Sequence, residues 1–171
     1  MKKSQIWIET AIYTLIGLTI IAIMLSIVTP QIEKMKEKAI IKQTILALED
    51  LNNEIEKVEQ AAGTIKIVFF RVAKGKLEIK SKEDKIVYTL ENTKLEFSEE
   101  GQKIKEGDLT FVTEKSGRRF NVIIALEYNN LNITFNSNEE DKTLHQGSHK
   151  IQLENIDVAI GNKTNINFKI V

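Results

Sequence analysis

The stretch that decides the fold stands at the start of the chain, which reads Lys2-Lys3-Ser4-Gln5-Ile6-Trp7-Ile8-Glu9. An uncharged run, Thr10 to Gln31, follows it. Its first twenty or so residues would span the roughly 30 Å hydrocarbon layer of a bilayer at 1.5 Å per residue. The run therefore predicts a membrane helix, at whose start an isolated carboxylate, Glu9, would cost roughly 2.5–3.5 kcal/mol or more in hydrocarbon. Something must compensate for this acid.

This arrangement resembles the class III signal peptide of type IV pilins, in which a short basic leader and a small residue precede the cleaved bond and a glutamate follows soon after. Lys2 and Lys3 form the leader here, and Ser4 is the small residue. In archaeal pilins of this kind the residue after the cut is often Gln, with the acid four positions further on. Gln5 and Glu9 stand in that register. The resemblance covers about the first thirty residues and implies cleavage by a prepilin peptidase between Ser4 and Gln5.

The resemblance also implies a role for Glu9 in assembly. Cleavage would generate an amine at membrane depth on Gln5, and the Glu9 carboxylate of a neighbouring subunit would neutralise it. Pairing leaves no unpaired charge in the apolar medium. It therefore favours extraction of the subunit from the membrane only when its helix is in register with that of a neighbouring subunit. The alternative is an uncut single-pass anchor whose Glu9 lies near the cytoplasmic interface and stays hydrated.

The basic leader also predicts the orientation of the helix. Positively charged residues stay in the cytoplasm, so Lys2 and Lys3 place the N-terminus inside and everything after Pro30 outside. The residues from Ser26 to Pro30 offer no small-x-small cleavage site, so removal of the whole segment is not expected. We therefore expect a single-pass membrane protein before assembly and an extracellular filament at the cell surface afterwards.

A second helical segment follows Pro30. Its apolar residues recur three or four apart, as on one helical face: Ile41, Ile45, Leu48, Leu51, Ile55, Val58 and Ala62. Pro30 deletes one backbone hydrogen bond, which predicts a helix kink there. The predicted organisation is a leader (1–4), a transmembrane and filament-core helix (5–30), an amphipathic stalk helix (31–62) and an extracellular β head (63–171).

From Thr64 onward the periodicity changes to that of strands. The predicted strands cover 65–72, 76–80, 85–90, 94–97, 108–114, 118–128, 131–135, 150–160 and 165–171. Short runs without a second helix indicate an antiparallel sandwich or barrel, and Phe120–Leu126, apolar on both strand faces, is the expected central strand. The fold class is therefore α+β, with a long N-terminal helix and an all-β head. This resembles the general plan of archaeal pilins and archaellins.

The sequence predicts no enzyme, cofactor or metal site. There are no cysteines, which excludes thiolate ligands and a cysteine nucleophile. His145 and His149 stand four apart, but Gly147 between them favours a loop, and two ligands do not close a metal site. Formal net charge is zero, so nucleic-acid binding is not expected.

Two glycosylation sequons lie in the predicted extracellular head. They begin at Asn132, within a predicted strand, and at Asn162, within a predicted turn. A glycoprotein would carry its sugar at Asn162 more readily than at Asn132.

The sequence thus predicts a structural subunit of an archaeal type IV pilus-like filament with a role in adhesion. Its expected partners are copies of itself or related pilins, the prepilin peptidase, an assembly ATPase and a membrane platform protein. The alternatives are a minor pilin or pseudopilin of a secretion or adhesion system, and the uncut membrane-anchored β domain as a binding protein. An archaellin is disfavoured, because the register of Gln5 and Glu9 is more similar to that of archaeal pilins.

Overall fold

A computed structural model describes residues 2–156 and 163–171, with side chains from Trp7 onward. The first element is helix α1, Lys2–Glu59. Its backbone continues through Pro30 without a break, and the kink expected there stays a prediction. The chain divides into two compact units, Met1–Lys36 and Glu37–Val171. We call the second the head unit, which therefore contains the last part of α1 as well as every strand.

In the described part of the chain, ten strands follow α1. They are β1 (Ile65–Val72), β2 (Lys76–Lys80), β3 (Lys85–Thr93), β4 (Lys103–Glu106), β5 (Leu109–Ser116), β6 (Arg119–Glu127), β7 (Leu131–Phe135), β8 (Lys142–Leu144), β9 (Gly147–Asn155) and β10 (Thr164–Ile170). A single 3-10 turn, Ser81–Glu83, separates β2 from β3. The chain thus has the predicted α+β class, a long helix followed by a β head.

The strands form two sheets. The four-stranded sheet has the order β1-β9-β10-β7, and the six-stranded sheet has the order β4-β5-β6-β3-β2-β8. All pairs are antiparallel except β10 with β7, which are parallel. A parallel pair needs a long crossover, and β8 and β9 provide it here. The central-strand prediction is confirmed, since β6 lies between β5 and β3 and buries Val122, Ile124 and Leu126.

One core unites the helix and both sheets. The α1 residues Ile41, Leu48, Leu51, Ile55 and Val58 are fully buried with inward-facing residues of both sheets. Their spacing of three, four or seven along α1 places them on one face. The apolar helical face read from the sequence therefore packs against the sheets as far as Val58. The helix ends at Glu59, and Ala62, predicted on the same face of a stalk helix 31–62, is exposed beyond it.

Several predicted strand positions were wrong. Residues 94–97 form no strand, because the backbone N–H of Lys94 bonds to the Glu37 carboxylate and that of Leu95 to the Thr93 hydroxyl, instead of to a neighbouring strand. Strand β9 begins earlier than predicted, at Gly147, and ends at Asn155; the predicted strand residues 157–160 lie outside the described residues. The short edge strands β4 and β8 were not predicted, and the four residues of β4 are all exposed.

The turn between β1 and β2 depends on glycine. Gly75 has φ +83°, which other residues adopt at a cost. A Cβ added there would overlap the backbone oxygen of Thr89 on β3. The same turn carries Lys74, whose backbone oxygen accepts a hydrogen bond from the buried Tyr88 hydroxyl.

Candidate membrane and assembly segment

The residues Trp7–Thr29, here called the apolar segment, lie along the first part of α1 with their large side chains exposed. Trp7 is 81% exposed and Tyr13 is 72% exposed. Among the described residues, α1 is the one helix whose length and composition suffice to cross a membrane, and none of its most apolar stretch is buried. The segment is compatible with a single-pass membrane anchor.

Four hydroxyl groups within the apolar segment are hydrogen-bonded to the backbone of the helix. Thr14, Thr19 and Thr29 donate to the backbone oxygens four residues before them at 2.7–2.8 Å. Ser26 donates to the backbone oxygen of Ile23 at 2.7 Å. Because a polar group in hydrocarbon needs a partner, these bonds would satisfy the four hydroxyls in lipid. Glu9 is the one formally charged side chain of the segment.

Glu9 is exposed on the first part of α1. The predicted cleavage bond, between Ser4 and Gln5, lies in the first turns of the same helix, which begins at Lys2. The side chains of Lys2, Lys3, Ser4 and Gln5 lie outside the described ones, so their predicted roles stay predictions.

Glu37, the first residue of the head unit, anchors α1 to the sheets. Its side chain is nearly buried and accepts three hydrogen bonds, from Lys74 Nζ at 2.7 Å, Thr93 Oγ1 at 2.7 Å and the Lys94 backbone N–H at 2.9 Å. Burial raises the pKa of Glu37, but these bonds together hold it below its ordinary value of 4.5. The ionised carboxylate therefore ties the helix to the ends of β1 and β3.

The C-terminal end of α1 is anchored by Asn155 on β9. Its Nδ2 donates to the backbone oxygens of Val58 at 3.0 Å and Glu59 at 3.1 Å. These carbonyls are among the last four of the helix, which lack intrahelical donors. The backbone of Asn155 also bonds to Gly63 and Thr64, where β1 begins. The head-unit part of α1 is thus fixed at both ends.

A cleft of about 400 Å³ lies beside the last turns of α1. Tyr128 contributes its hydroxyl, which donates to Asn52 Oδ1 at 2.8 Å, and Asn52 Nδ2 donates to Glu56 and Asp108. Burial raises the pKa of Tyr128, and the acids Glu56, Asp108 and Glu59 act in the same direction. Tyr128 therefore stays a protonated donor. The acids Glu56 and Asp108 that line the cleft thus belong to a hydrogen-bonded contact between α1 and the sheets.

The two sequons have different outcomes. Asn132 lies in β7 and its Nδ2, the atom that would carry a sugar, is buried without a hydrogen-bond partner among the described residues. The folded head therefore does not present Asn132 for glycosylation. Asn162 lies outside the described residues, and its glycosylation stays a prediction.

The two histidines lie close together at the start of β9. The Nε2 atom of His149 is 2.7 Å from the backbone oxygen of His145, so a backbone contact occupies that ring nitrogen. Among the described residues, no group of three or more His, Cys, Asp or Glu side chains is suited to a metal ion.

Sequence reasoning missed the two anchors. Glu37 precedes the first fully buried helical residue, Ile41, by four positions, so its place on the buried face could have been read from the periodicity. Asn155 gave no comparable signal, because its role depends on β9 lying beside the end of α1.

Comparisons of the chain with known protein families, with curated proteins and with solved structures find no match.

The Glu37 anchor predicts a pH-dependent stability. Because its pKa is lowered on folding, the carboxylate stabilises the head unit above about pH 4.5, and this contribution is lost as pH falls through the lower folded-state value. At neutral pH, Glu37→Gln should reduce the free energy of unfolding by about 1–2 kcal/mol.

The measurement is chemical unfolding of the full-length protein in detergent at pH 7 and pH 3.5. The difference between wild type and Glu37→Gln should shrink at the lower pH. The exposed Glu49 provides a control, since Glu49→Gln should have little effect at either pH. A difference that is constant across this range would contradict the anchoring role.

Proposed function

We propose that this chain is a structural subunit of an extracellular type IV pilus-like filament, similar to archaeal pilins. In this proposal a prepilin peptidase cuts between Ser4 and Gln5. The mature chain then leaves the membrane through the action of an assembly ATPase and a platform protein, and the apolar segment joins those of other copies in the filament core. The protein acts as a structural element and not as an enzyme.

The observation that carries the proposal is the exposed apolar segment with a single acid near its start. Its side chains need lipid before assembly and other subunits afterwards, because an exposed apolar surface of this length is unfavourable in water. Glu9 can pair with the amine of Gln5 on a neighbouring copy, and this pairing favours one alignment of the two helices over others. Neither Lys2 nor Lys3 would remain in the assembled chain.

Intact-mass measurement of the protein purified from its native source tests the proposal. The expected mass corresponds to loss of residues Met1 to Ser4, and electron microscopy should show filaments that contain the same chain. A mature protein that retains Lys2 and Lys3 would contradict it. A peptide mass shift would separately report sugar on Asn162.

The second candidate is an uncut, membrane-anchored β domain that binds a partner. It is favoured by the compatibility of the apolar segment with a single-pass anchor, which needs no cleavage. A protein that keeps its leader and stays in the membrane as a single copy, without assembling into filaments, would support this second candidate. A minor pilin or pseudopilin would share the cleavage, and is distinguished by its low abundance in filaments made of another subunit.

A further inference from the structure

Acids line two adjoining clefts beside the last turns of α1. The cleft of about 400 Å³ that contains Tyr128 shares Asn52 and Asp108 with a second cleft of about 360 Å³. We call the two clefts together the acidic groove. Of the described residues that line it, every charged one is an acid: Glu49, Glu56, Glu59, Glu106, Asp108 and Glu127. The groove therefore fits a cationic partner.

The hydrogen bonds inside the groove leave its negative charge in place. Asn52 donates to Glu56 and Asp108, and Asn130 donates to Glu59. Both donors are neutral amides, so they satisfy carboxylate oxygens without cancelling charge. In the part of the chain that the structure describes, none of the acids of the groove forms an ion pair.

Cations of the head unit stand earlier on the same helix. Lys38 and Lys42 are exposed and four positions apart, so they lie on one face of α1. Neither forms an ion pair with another described residue of its own chain. Glu37, beside Lys38 in the sequence, is nearly buried and already pairs with Lys74. This face of α1 thus carries a positive charge that a second copy could use.

From these observations we infer that Lys38 and Lys42 of one copy enter the acidic groove of a second copy. The inference rests on the proposed function, because the membrane and then the filament hold copies side by side in one orientation. Glu56 lies fourteen positions after Lys42, so pairing them shifts the two copies by about 21 Å at 1.5 Å per residue. The copy that supplies the lysines would stand further from the membrane.

The contact is heterologous, because it joins two different surfaces of the same chain. A heterologous contact that does not close into a ring repeats from copy to copy, as in a filament. A single exposed ion pair contributes little, so loss of one acid of the groove, as in Glu49→Gln, should hardly change filament yield. Reversal of both lysines instead sets acids against acids, which should open the contact.

Zero-length cross-linking tests the contact on the unmodified protein. A carbodiimide joins a lysine amine to a carboxylate through an amide bond, with loss of one water, when the two groups touch. In isolated filaments we expect linked peptides that join Lys38 or Lys42 to Glu56. Lys42 and Glu56 are about 21 Å apart along one helix, so this link must join two copies.

Cysteine cross-linking measures the same contact without using the lysines, on a chain that has no cysteine. Ala39 and Asn53 are exposed, fourteen positions apart, and Asn53 lines the groove. Full-length Ala39→Cys and Asn53→Cys chains carry different tags, are expressed together, and are treated in filaments with a short bismaleimide. We expect dimers that contain both tags, and none when either variant is expressed alone.

A charge exchange on these two chains tests the role of charge. Lys38→Glu with Lys42→Glu in the Ala39→Cys chain should reduce the mixed dimer about fivefold or more, because acids then face acids. Adding Glu106→Lys and Glu127→Lys to the other chain should restore it. All four substituted residues are exposed, so circular dichroism should show an unchanged fold.

A matched control reverses two cations elsewhere on the head unit. Lys82 and Arg118 are both exposed and do not line the acidic groove. Lys82→Glu with Arg118→Glu in the Ala39→Cys chain makes the same change in net charge. It should leave the mixed dimer at the level of the unreversed chains.

The outcomes separate this inference from the filament proposal. Filaments without the link to Glu56 and without mixed dimers would overturn the inference and leave the filament proposal in place. A mixed dimer that survives reversal of both lysines would also overturn it, as would links from the groove only to another protein. Linked dimers in membranes of cells that make no filaments would support the contact and count against the filament.

Discussion

Replacement of Glu9 by Gln should reduce filament yield at least tenfold while leaving the chain in the membrane and its leader removed. An unpaired charge in hydrocarbon costs roughly 2.5–3.5 kcal/mol, which corresponds to about a hundredfold in an equilibrium constant. In the proposed assembly the substitution removes the carboxylate that neutralises the Gln5 amine of a neighbour. That amine then enters the filament core without a partner.

The measurement is the amount of sheared surface filament per cell, with the membrane pool and the intact mass recorded on the same sample. Glu49→Gln serves as the matched control, because Glu49 is an exposed acid on the head-unit part of α1. It should leave the yield close to that of wild type. Undiminished filaments from Glu9→Gln would remove the assembly role of this acid, even if cleavage after Ser4 were established.

The largest effect on stability should come from Gly75→Ala. Alanine at a positive φ costs about 1–2 kcal/mol, and here the added Cβ also overlaps the backbone oxygen of Thr89. That oxygen belongs to a paired strand and cannot move far without disturbing the ladder between β2 and β3. We expect a loss of about 3 kcal/mol or more, as is typical of strained backbone positions.

Gly101→Ala separates the two contributions. Gly101 also has a positive φ, +74°, but an added Cβ there meets no atom within 4 Å. Its loss should therefore be about 1–2 kcal/mol, from the backbone conformation alone. Thermal unfolding of the full-length protein in detergent, followed by circular dichroism, compares the two variants. Equal losses would show that the overlap with Thr89 is relieved by a small backbone shift.

A looser β1–β2 turn should also affect the helix anchor. Lys74 precedes Gly75 and donates to Glu37, so a shift of the turn moves this donor away from the carboxylate. The pH dependence assigned to Glu37 should then be smaller in Gly75→Ala than in Gly101→Ala. The conformation of the turn at Gly75 and the pH dependence due to Glu37 are thus coupled through Lys74.

The long helix and the β class of the head followed from local patterns. The uncharged run after Glu9 and the apolar spacing from Ile41 to Val58 both reflect forces that act within one helix. The strands β1, β2 and β7 were predicted at their observed bounds, because glycine or polar residues lie within two positions of each of their ends. For β6, an unbroken apolar run correctly indicated an interior strand.

What sequence could not give depends on contacts distant along the chain. Residues 94–97 have the composition of a strand, yet the acid that takes up the N–H of Lys94 lies 57 residues earlier, at Glu37. The parallel pairing of β7 with β10 likewise reflects the order of strands and not their composition. The sequon at Asn132 gives no sign of burial in the sequence, and only the structure shows its Nδ2 buried.

The exposed apolar side of β1 was also hidden in the sequence. Ile65, Ile67 and Phe69 alternate with Lys66 and Val68, so either set could have been assigned to the core. The structure buries Phe70 and Val72 and places Lys66 beside Glu54 on α1. The burial of Phe70 and Val72 in the core thus decides which side of this strand carries the exposed apolar residues.

Trp7 gives the chain an intrinsic optical reporter. It is the sole indole in the sequence and stands at the start of the apolar segment, two positions before Glu9. Its emission colour and its accessibility to quenchers would follow this end of the helix from bilayer to fibre without any added dye. Assembly kinetics could therefore be recorded on the unmodified protein.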